Sequence, residues 1–77
     1  MNMRSCLLSA VLAITGVVES VTEGKVVLKD SWGFYLLIST TEVFPFPAQS
    51  CVRILYESDG RTRTLINAKI AHDCPRP

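Results

Sequence analysis

The chain has 77 residues, of which 48% are hydrophobic and 19% are charged, and its formal net charge is +1. A chain of this length forms one domain with one core, and it is too small for a deep cleft between lobes. The near-zero net charge excludes a polycation that coats nucleic acid by charge alone. The hydrophobic content excludes a disordered chain. We therefore expect a single domain over residues 1–77, whose apolar excess lies in a core, an interface or an export signal.

The N-terminal residues have the pattern of a short export signal. Arg4 precedes an apolar run over residues 5–14, and Ala13-Ile14-Thr15 is a candidate cleavage site. The run is too short to span a membrane, which takes roughly 20 apolar residues. Cleavage would remove half of the first predicted strand, so we expect residues 1–7 to be an N-terminal arm of a cytoplasmic protein. A periplasmic or secreted protein, with residues 1–15 as its signal, is the alternative.

The three cysteines, Cys6, Cys51 and Cys74, have no metal-site spacing, and the chain has a single histidine. No metal or other cofactor is therefore expected. In a reducing cytoplasm the cysteines would be free thiols that pack as small hydrophobic side chains, and this is the state we expect. In an exported protein, loss of Cys6 with the signal would leave Cys51 and Cys74 to form a disulfide.

Apolar residues recur at every second position through most of the chain, which predicts strands rather than helices. The first strand covers residues 8–18, and Gly16 within it marks a bulge or a bend. The pattern of this strand predicts one apolar face, made of Leu8, Ala10, Leu12, Ile14 and Val18.

The next two strands are separated by short turns. Lys25–Lys29 alternates charged and bulky side chains, and the turn Asp30–Gly33 leads into a third strand over residues 34–38. The third strand is predicted to have Phe34, Leu36 and Ile38 on its inner side.

The pattern then stops until the last two strands. Phe44-Pro45-Phe46-Pro47 excludes a continued helix and indicates a looping connection. The fourth strand covers residues 51–57 and the fifth about 61–71, followed by a flexible tail over residues 72–77. The inner face of the fifth strand is predicted to contain Thr64, Ile66, Ala68 and Ile70.

This strand order resembles the OB-fold, with Ile14–Val18, Gly24–Asp30 and Gly33–Ile38 matching the layout of small OB domains. The resemblance implies an all-β protein, a five-stranded Greek-key OB-like barrel, of a kind that binds oligonucleotides or oligosaccharides. The same layout resembles a bacterial OB-fold family of small periplasmic stress-tolerance proteins, which usually carry a signal peptide.

We expect no enzymatic activity. The single histidine, His72, lies near the C-terminus, away from any pattern of an activated nucleophile, and the carboxylates are scattered at turns. The glycines do not form a phosphate-binding loop.

Single-stranded nucleic acid is the ligand that the sequence favours. Lys25, Lys29 and Tyr35 are predicted to face outward on the second and third strands, with Trp32 in the turn between them. Lysines contact phosphates and aromatic rings stack on bases in proteins that bind single strands. Arg53, Arg63 and Lys69 would extend this basic surface along the last two strands.

The alternative function is that of a protein-binding adaptor. Val27, Leu37 and Leu55 are predicted to be apolar and outward-facing, which suits a protein interface better than a groove for phosphates. These positions, together with Phe44–Pro47, would mediate homo-oligomer formation or contact with a partner.

Overall fold

Five strands, and no helix, form between residues 9 and 74, the part of the chain that this computed structural model describes. None of the described segments is therefore a helix long and apolar enough to cross a membrane. In chain order the strands are β1 (Ala10–Thr22), β2 (Lys25–Lys29), β3 (Tyr35–Ser39), β4 (Cys51–Ser58) and β5 (Arg63–Ile70).

The strands close into a barrel in the order β1-β2-β3-β5-β4, with β4 returning to β1. All neighbours are antiparallel except β3 and β5, which are parallel and are joined through the single pair Ser39 and Thr64. The predicted fold class, an all-β, five-stranded Greek-key OB-like barrel, is confirmed.

The long strand β1 belongs to both halves of the barrel. Its first part pairs with β4 and its second part with β2, so that Val17 lies opposite both Cys51 and Lys29. Gly16 is buried at this crossing, where a Cβ atom would lie 2.6 Å from the backbone oxygen of Lys29. Only glycine fits such a close approach of two backbones.

Alternating side chains of the strands fill the core. Val26 and Leu28 of β2 point inward and are fully buried, whereas Lys25 and Lys29 on the same strand are exposed. Full burial of one such aliphatic side chain stabilises the fold by about 1.5–3 kcal/mol. The buried core consists of Val18, Val26, Leu28, Ile38, Phe44, Val52, Ile54 and Tyr56.

The connection from β3 to β4 covers one end of the barrel. Phe44 is buried and contacts Phe46 edge to face, with ring centroids 5.6 Å apart. The backbone N–H of Gln49 donates to the oxygen of Val18 at 2.7 Å, which holds the connection against β1. The prediction that Phe44–Pro47 belongs to an interface is therefore wrong at Phe44, which packs in the core instead.

Three predicted inner positions are exposed. Phe34 precedes β3, and its carbonyl accepts a hydrogen bond from the N–H of Asp30 in the turn, so its ring points away from the core. Ala10 and Leu12 lie at the start of β1 and are exposed, with only Ile14 and Val18 further along contributing to the core. Leu8 lies outside the described residues.

The inner face of β5 also differs from the prediction. Leu55 and Tyr56 on β4 pair with Asn67 and Leu65, so that Ile66 is an extra residue in a β-bulge. A bulge reverses the inward and outward alternation on either side of it. Leu65 therefore packs against the core in place of Thr64 and Ile66. Ala68 remains inward as predicted, whereas Ile70 is exposed.

A disulfide joins Cys51, at the start of β4, to Cys74, with a Cα–Cα distance of 5.8 Å. The N–H of Ala71 also donates to the oxygen of Cys51 at 3.0 Å. The expectation of free thiols is therefore wrong for this pair, and the alternative disulfide is the state observed. Residues 71–74 are thereby fixed to the barrel, whereas Cys6 lies outside the described residues.

Candidate binding surfaces

The turn between β2 and β3 is held rigidly by Asp30. One carboxylate oxygen of Asp30 accepts hydrogen bonds from the N–H groups of Trp32 and Phe34, both at 2.9 Å. The N–H of Gly33 donates to the carbonyl of Asp30 at 3.1 Å, and Gly33 has a φ of 89°. Glycine adopts this left-handed conformation without the steric penalty of a side chain. These hydrogen bonds fix the backbone of the turn from Asp30 to Phe34.

Three aromatic side chains are exposed at this turn. Trp32 is 83% exposed, and Phe34 and Tyr35 beside it are also exposed. The Nζ atom of Lys29 lies 5.8 Å from the centroid of the Tyr35 ring, a cation–π contact that contributes about 0.5–1 kcal/mol at an exposed site. Clustered exposed apolar groups mark binding sites more often than isolated ones do. The turn is therefore a candidate for ligand contact.

The outward side chains of β2 and β3 form a second candidate surface, which we call the strand 2–3 face. It consists of Lys25, Val27, Lys29, Tyr35 and Leu37. Val27 lies opposite Leu37, and Lys29 lies opposite Tyr35. The face thus has an apolar centre with a lysine on either side.

The other predicted contact residues lie elsewhere. Arg53 of β4 lies opposite Lys69 of β5, and its guanidinium donates to the hydroxyl of Thr15 at 3.0 Å. Arg63 lies opposite Ser58, towards the other end of β4. None of these cations is on the strand 2–3 face, so the structure divides the predicted basic surface into separate parts.

Leu55 is likewise separate from the other two predicted interface residues. It lies on β4 opposite Ala13 of β1 and Asn67 of β5, whereas Val27 and Leu37 pair with each other on the strand 2–3 face. The three apolar positions therefore do not form one patch.

An open groove of about 890 Å³ lies between the β2–β3 turn and residues 71–74. We call it the Trp32 groove. The disulfide holds the C-terminal wall of the groove in place. No pattern in the sequence indicated that Gln49 would contribute to the lining. The residues that line it include Glu19, Lys29, Trp32, Gln49, His72 and Cys74.

The remaining acidic residues do not form a recognisable site. Among residues 9–74, no three His, Cys, Asp or Glu side chains are grouped as metal ligands would be.

In the β4–β5 turn, the carboxylate of Asp59 accepts hydrogen bonds from the N–H groups of Thr62 and Arg61, both at 2.8 Å. These bonds lower the pKa of Asp59, because they favour its ionised form. Asp59 therefore stabilises the β4–β5 turn.

The fold and these surfaces define a small OB-like barrel with an exposed aromatic turn. Its architecture is similar to that of apo-CusF from Escherichia coli, residues 6–88, with a TM-score of 0.73. The two chains share 15% sequence identity over 94% of this chain and 100% of the other, so the similarity concerns the fold alone. No protein-family model and no curated protein sequence matches this chain.

Proposed function

We propose that this protein is a non-enzymatic binding module whose strand 2–3 face contacts proteins and through which copies of the chain self-associate. The observation that carries the proposal is the apolar pair at the centre of this face, in which the exposed Leu37 lies opposite the half-buried Val27. Leu37 is 47% exposed, and Tyr35 beside it is also exposed. An apolar centre surrounded by polar groups, with an aromatic residue at its edge, is typical of protein interfaces.

The position of this face in the barrel restricts how two copies can meet. Both β2 and β3 have hydrogen-bonded neighbours, and β2 lies between β1 and β3. Contact on this face is made by its outward side chains, whereas addition of a strand would take place at the edge of β3, where only Ser39 is paired with β5. A two-fold axis would place the same patch of each copy against the other, with Leu37 near the centre and the lysines towards the rim.

Replacing Leu37 with glutamate should abolish self-association. In sedimentation velocity, we expect the wild-type protein to shift to a larger species as its concentration rises to about 100 µM, and the variant to remain monomeric. A charge buried in an apolar interface without a partner strongly disfavours association. Leu37 points outward, so the barrel should remain folded.

Leu55→Glu is the matched control. Leu55 is a leucine of comparable exposure, at 39%, on a different part of the barrel. We expect this variant to associate like the wild type. A wild-type protein that stays monomeric, or equal losses in both variants, would contradict the proposal.

Single-stranded nucleic acid is the second candidate ligand for the same face. The observation that favours it is Lys29 beside the ring of Tyr35, with Lys25 on the same strand and Trp32 exposed at the adjoining turn. Stacking on an aromatic side chain contributes about 1–3 kcal/mol per base. Two lysines neutralise few phosphates, so binding would be weak and would depend mainly on stacking.

This candidate predicts quenching of Trp32 fluorescence by oligothymidylate at low salt. The double variant Lys25→Ala/Lys29→Ala should bind more weakly, and its slope of log K against log salt should be reduced by about 1.4, because two phosphate contacts are lost. Lys69→Ala, on β5, serves as the control and should bind like the wild type. Unchanged fluorescence in the wild-type protein would exclude this candidate.

The compartment we propose is extracytoplasmic. Disulfides persist in oxidising compartments such as the periplasm and are rare in the cytosol. The bond between Cys51 and Cys74 supports this alternative over the cytoplasmic location that the sequence favoured. A protein interface and a disulfide-linked barrel are compatible with an accessory subunit outside the cytoplasm.

A further inference from the structure

The three exposed aromatic side chains at the β2–β3 turn form a surface that we call the aromatic tip. Trp32, Phe34 and Tyr35 are 83%, 70% and 60% exposed. The remaining aromatic residues of the chain pack in or against the core. Uncharged residues fill the whole segment 31–35. The aromatic tip is therefore an uncharged projection at one end of the barrel.

The backbone N–H groups of this turn already have partners within the turn. Those of Trp32 and Phe34 donate to the carboxylate of Asp30, and that of Gly33 donates to the carbonyl of Asp30. The N–H of Asp30 in turn donates to the carbonyl of Phe34 at 2.9 Å. A backbone group that leaves water without a partner costs free energy. Because these four N–H groups are bonded internally, their transfer out of water breaks no hydrogen bond.

The size and the chemistry of the aromatic tip favour a lipid surface as its partner. A protein interface usually takes about 20–30 residues from each side, many more than one turn supplies. A nucleic-acid strand needs cations along its phosphates, whereas the segment 31–35 has none. Tryptophan and tyrosine, which have an apolar body and a polar edge, concentrate at the boundary between the headgroups and the acyl chains of a bilayer.

We propose that the aromatic tip inserts into the interfacial region of a phospholipid bilayer and attaches the barrel reversibly to a membrane surface. The rings of Trp32 and Phe34 enter the boundary between headgroups and acyl chains. Lys29, whose Nζ atom lies 5.8 Å from the centroid of the Tyr35 ring, stays at the level of the lipid phosphates. The apolar pair at the centre of the strand 2–3 face lies further along both strands, so this contact is separate from the proposed protein interface.

Titration of the full chain with lipid vesicles tests this contact, because Trp32 is the only tryptophan of the chain. The vesicles are phosphatidylcholine alone and a four-to-one mixture of phosphatidylcholine and phosphatidylglycerol. We expect the emission of Trp32 to shift to shorter wavelength, with half-maximal binding at about 1 mM lipid, weaker than that of a single myristoyl chain. Binding to the anionic mixture should be about 5-fold tighter, because that surface attracts Lys29. Phosphatidylcholine brominated on its acyl chains should quench the emission.

Vesicle flotation compares the variants, since Trp32→Ala removes the fluorophore. Trp32→Ala and Phe34→Ala should each weaken binding about 5-fold or more, because each removes apolar surface that enters the bilayer. Both side chains are so exposed that neither variant should unfold. Val43→Ala is the matched control, since Val43 is an apolar residue that is 94% exposed on the β3–β4 connection. It should bind like the wild type.

Leu37→Glu separates this contact from the proposed protein interface. It should bind phosphatidylcholine vesicles like the wild type even though its self-association is lost. The membrane contact is overturned if neither kind of vesicle shifts the emission of Trp32, or if Val43→Ala loses as much binding as Trp32→Ala. Quenching of Trp32 by oligothymidylate without any response to vesicles would also overturn it.

Discussion

Replacing Gly16 with alanine should lower the free energy of unfolding by about 3 kcal/mol, at the upper end of the usual penalty for overpacking. The added Cβ atom would lie 2.6 Å from the carbonyl oxygen of Lys29 and 3.3 Å from its carbonyl carbon. Both are backbone atoms at the junction of β1 and β2, so no side chain can rotate to make room. Relief of the clash requires the two strands to separate where β1 crosses from β4 to β2.

Urea unfolding followed by circular dichroism measures this change. Gly33→Ala is the control, because Gly33 has a φ of 89° but open space around its Cα atom. We expect that variant to lose only about 1–2 kcal/mol, from backbone strain alone. An alanine in an unobstructed strand is more stable than glycine by about 0.5–1 kcal/mol. A Gly16→Ala protein as stable as the wild type would therefore show that the close approach is absent.

Removing the disulfide should lower the free energy of unfolding by about as much as Gly16→Ala does. The double variant Cys51→Ala/Cys74→Ala should lose about 3 kcal/mol, because the bond closes a loop over a sequence separation of 23 residues and restricts the unfolded chain. Chemical denaturation of the double variant and of the wild-type protein, with and without a thiol reductant, measures the loss.

The reductant separates the bond from other effects of the substitutions. It should lower the stability of the wild type to about that of the double variant, and it should leave the double variant unchanged. Protein isolated from its host under conditions that trap free thiols should contain Cys51 and Cys74 in oxidised form. Reduced cysteines in that sample would contradict the extracytoplasmic location that we propose.

The strands could largely be predicted from the alternation of apolar residues. The predicted boundaries of β2 match the observed strand, and those of β3 and β4 differ by a residue or so. This accuracy has a physical reason, since a strand with one face in the core and one in solvent must alternate its side chains. Val26 and Leu28, which the alternation predicts to face inward, are both buried.

The errors arose where a local pattern does not determine the pairing. The bulge at Ile66 depends on the register between β4 and β5, which no feature within β5 reveals. Phe34 resembles a core residue by type and position, but the hydrogen bonds around Asp30 extend the turn and leave its ring outside. Both positions could have been predicted correctly only with knowledge of a neighbouring segment.

The strand 2–3 face followed directly from the sequence, because Lys25, Val27 and Lys29 alternate with buried residues on one short strand. The Trp32 groove did not, since its walls come from segments more than 35 residues apart, from Trp32 to Cys74. The possible pairing of Cys51 and Cys74 was the one signal that linked the C-terminal segment to the barrel.

The single pair Ser39–Thr64 between β3 and β5 has a consequence for partial unfolding. Long antiparallel ladders join β1 to β4 and, with one bulge, β4 to β5, and the disulfide also ties β4 to the segment after β5. We therefore expect the barrel to open first by detachment of the β2–β3 hairpin from β5, with the other strands remaining folded. Cooperative units of low local stability often carry binding sites. Because this hairpin carries the strand 2–3 face, a bound partner would slow amide hydrogen exchange in β3 more than in β4.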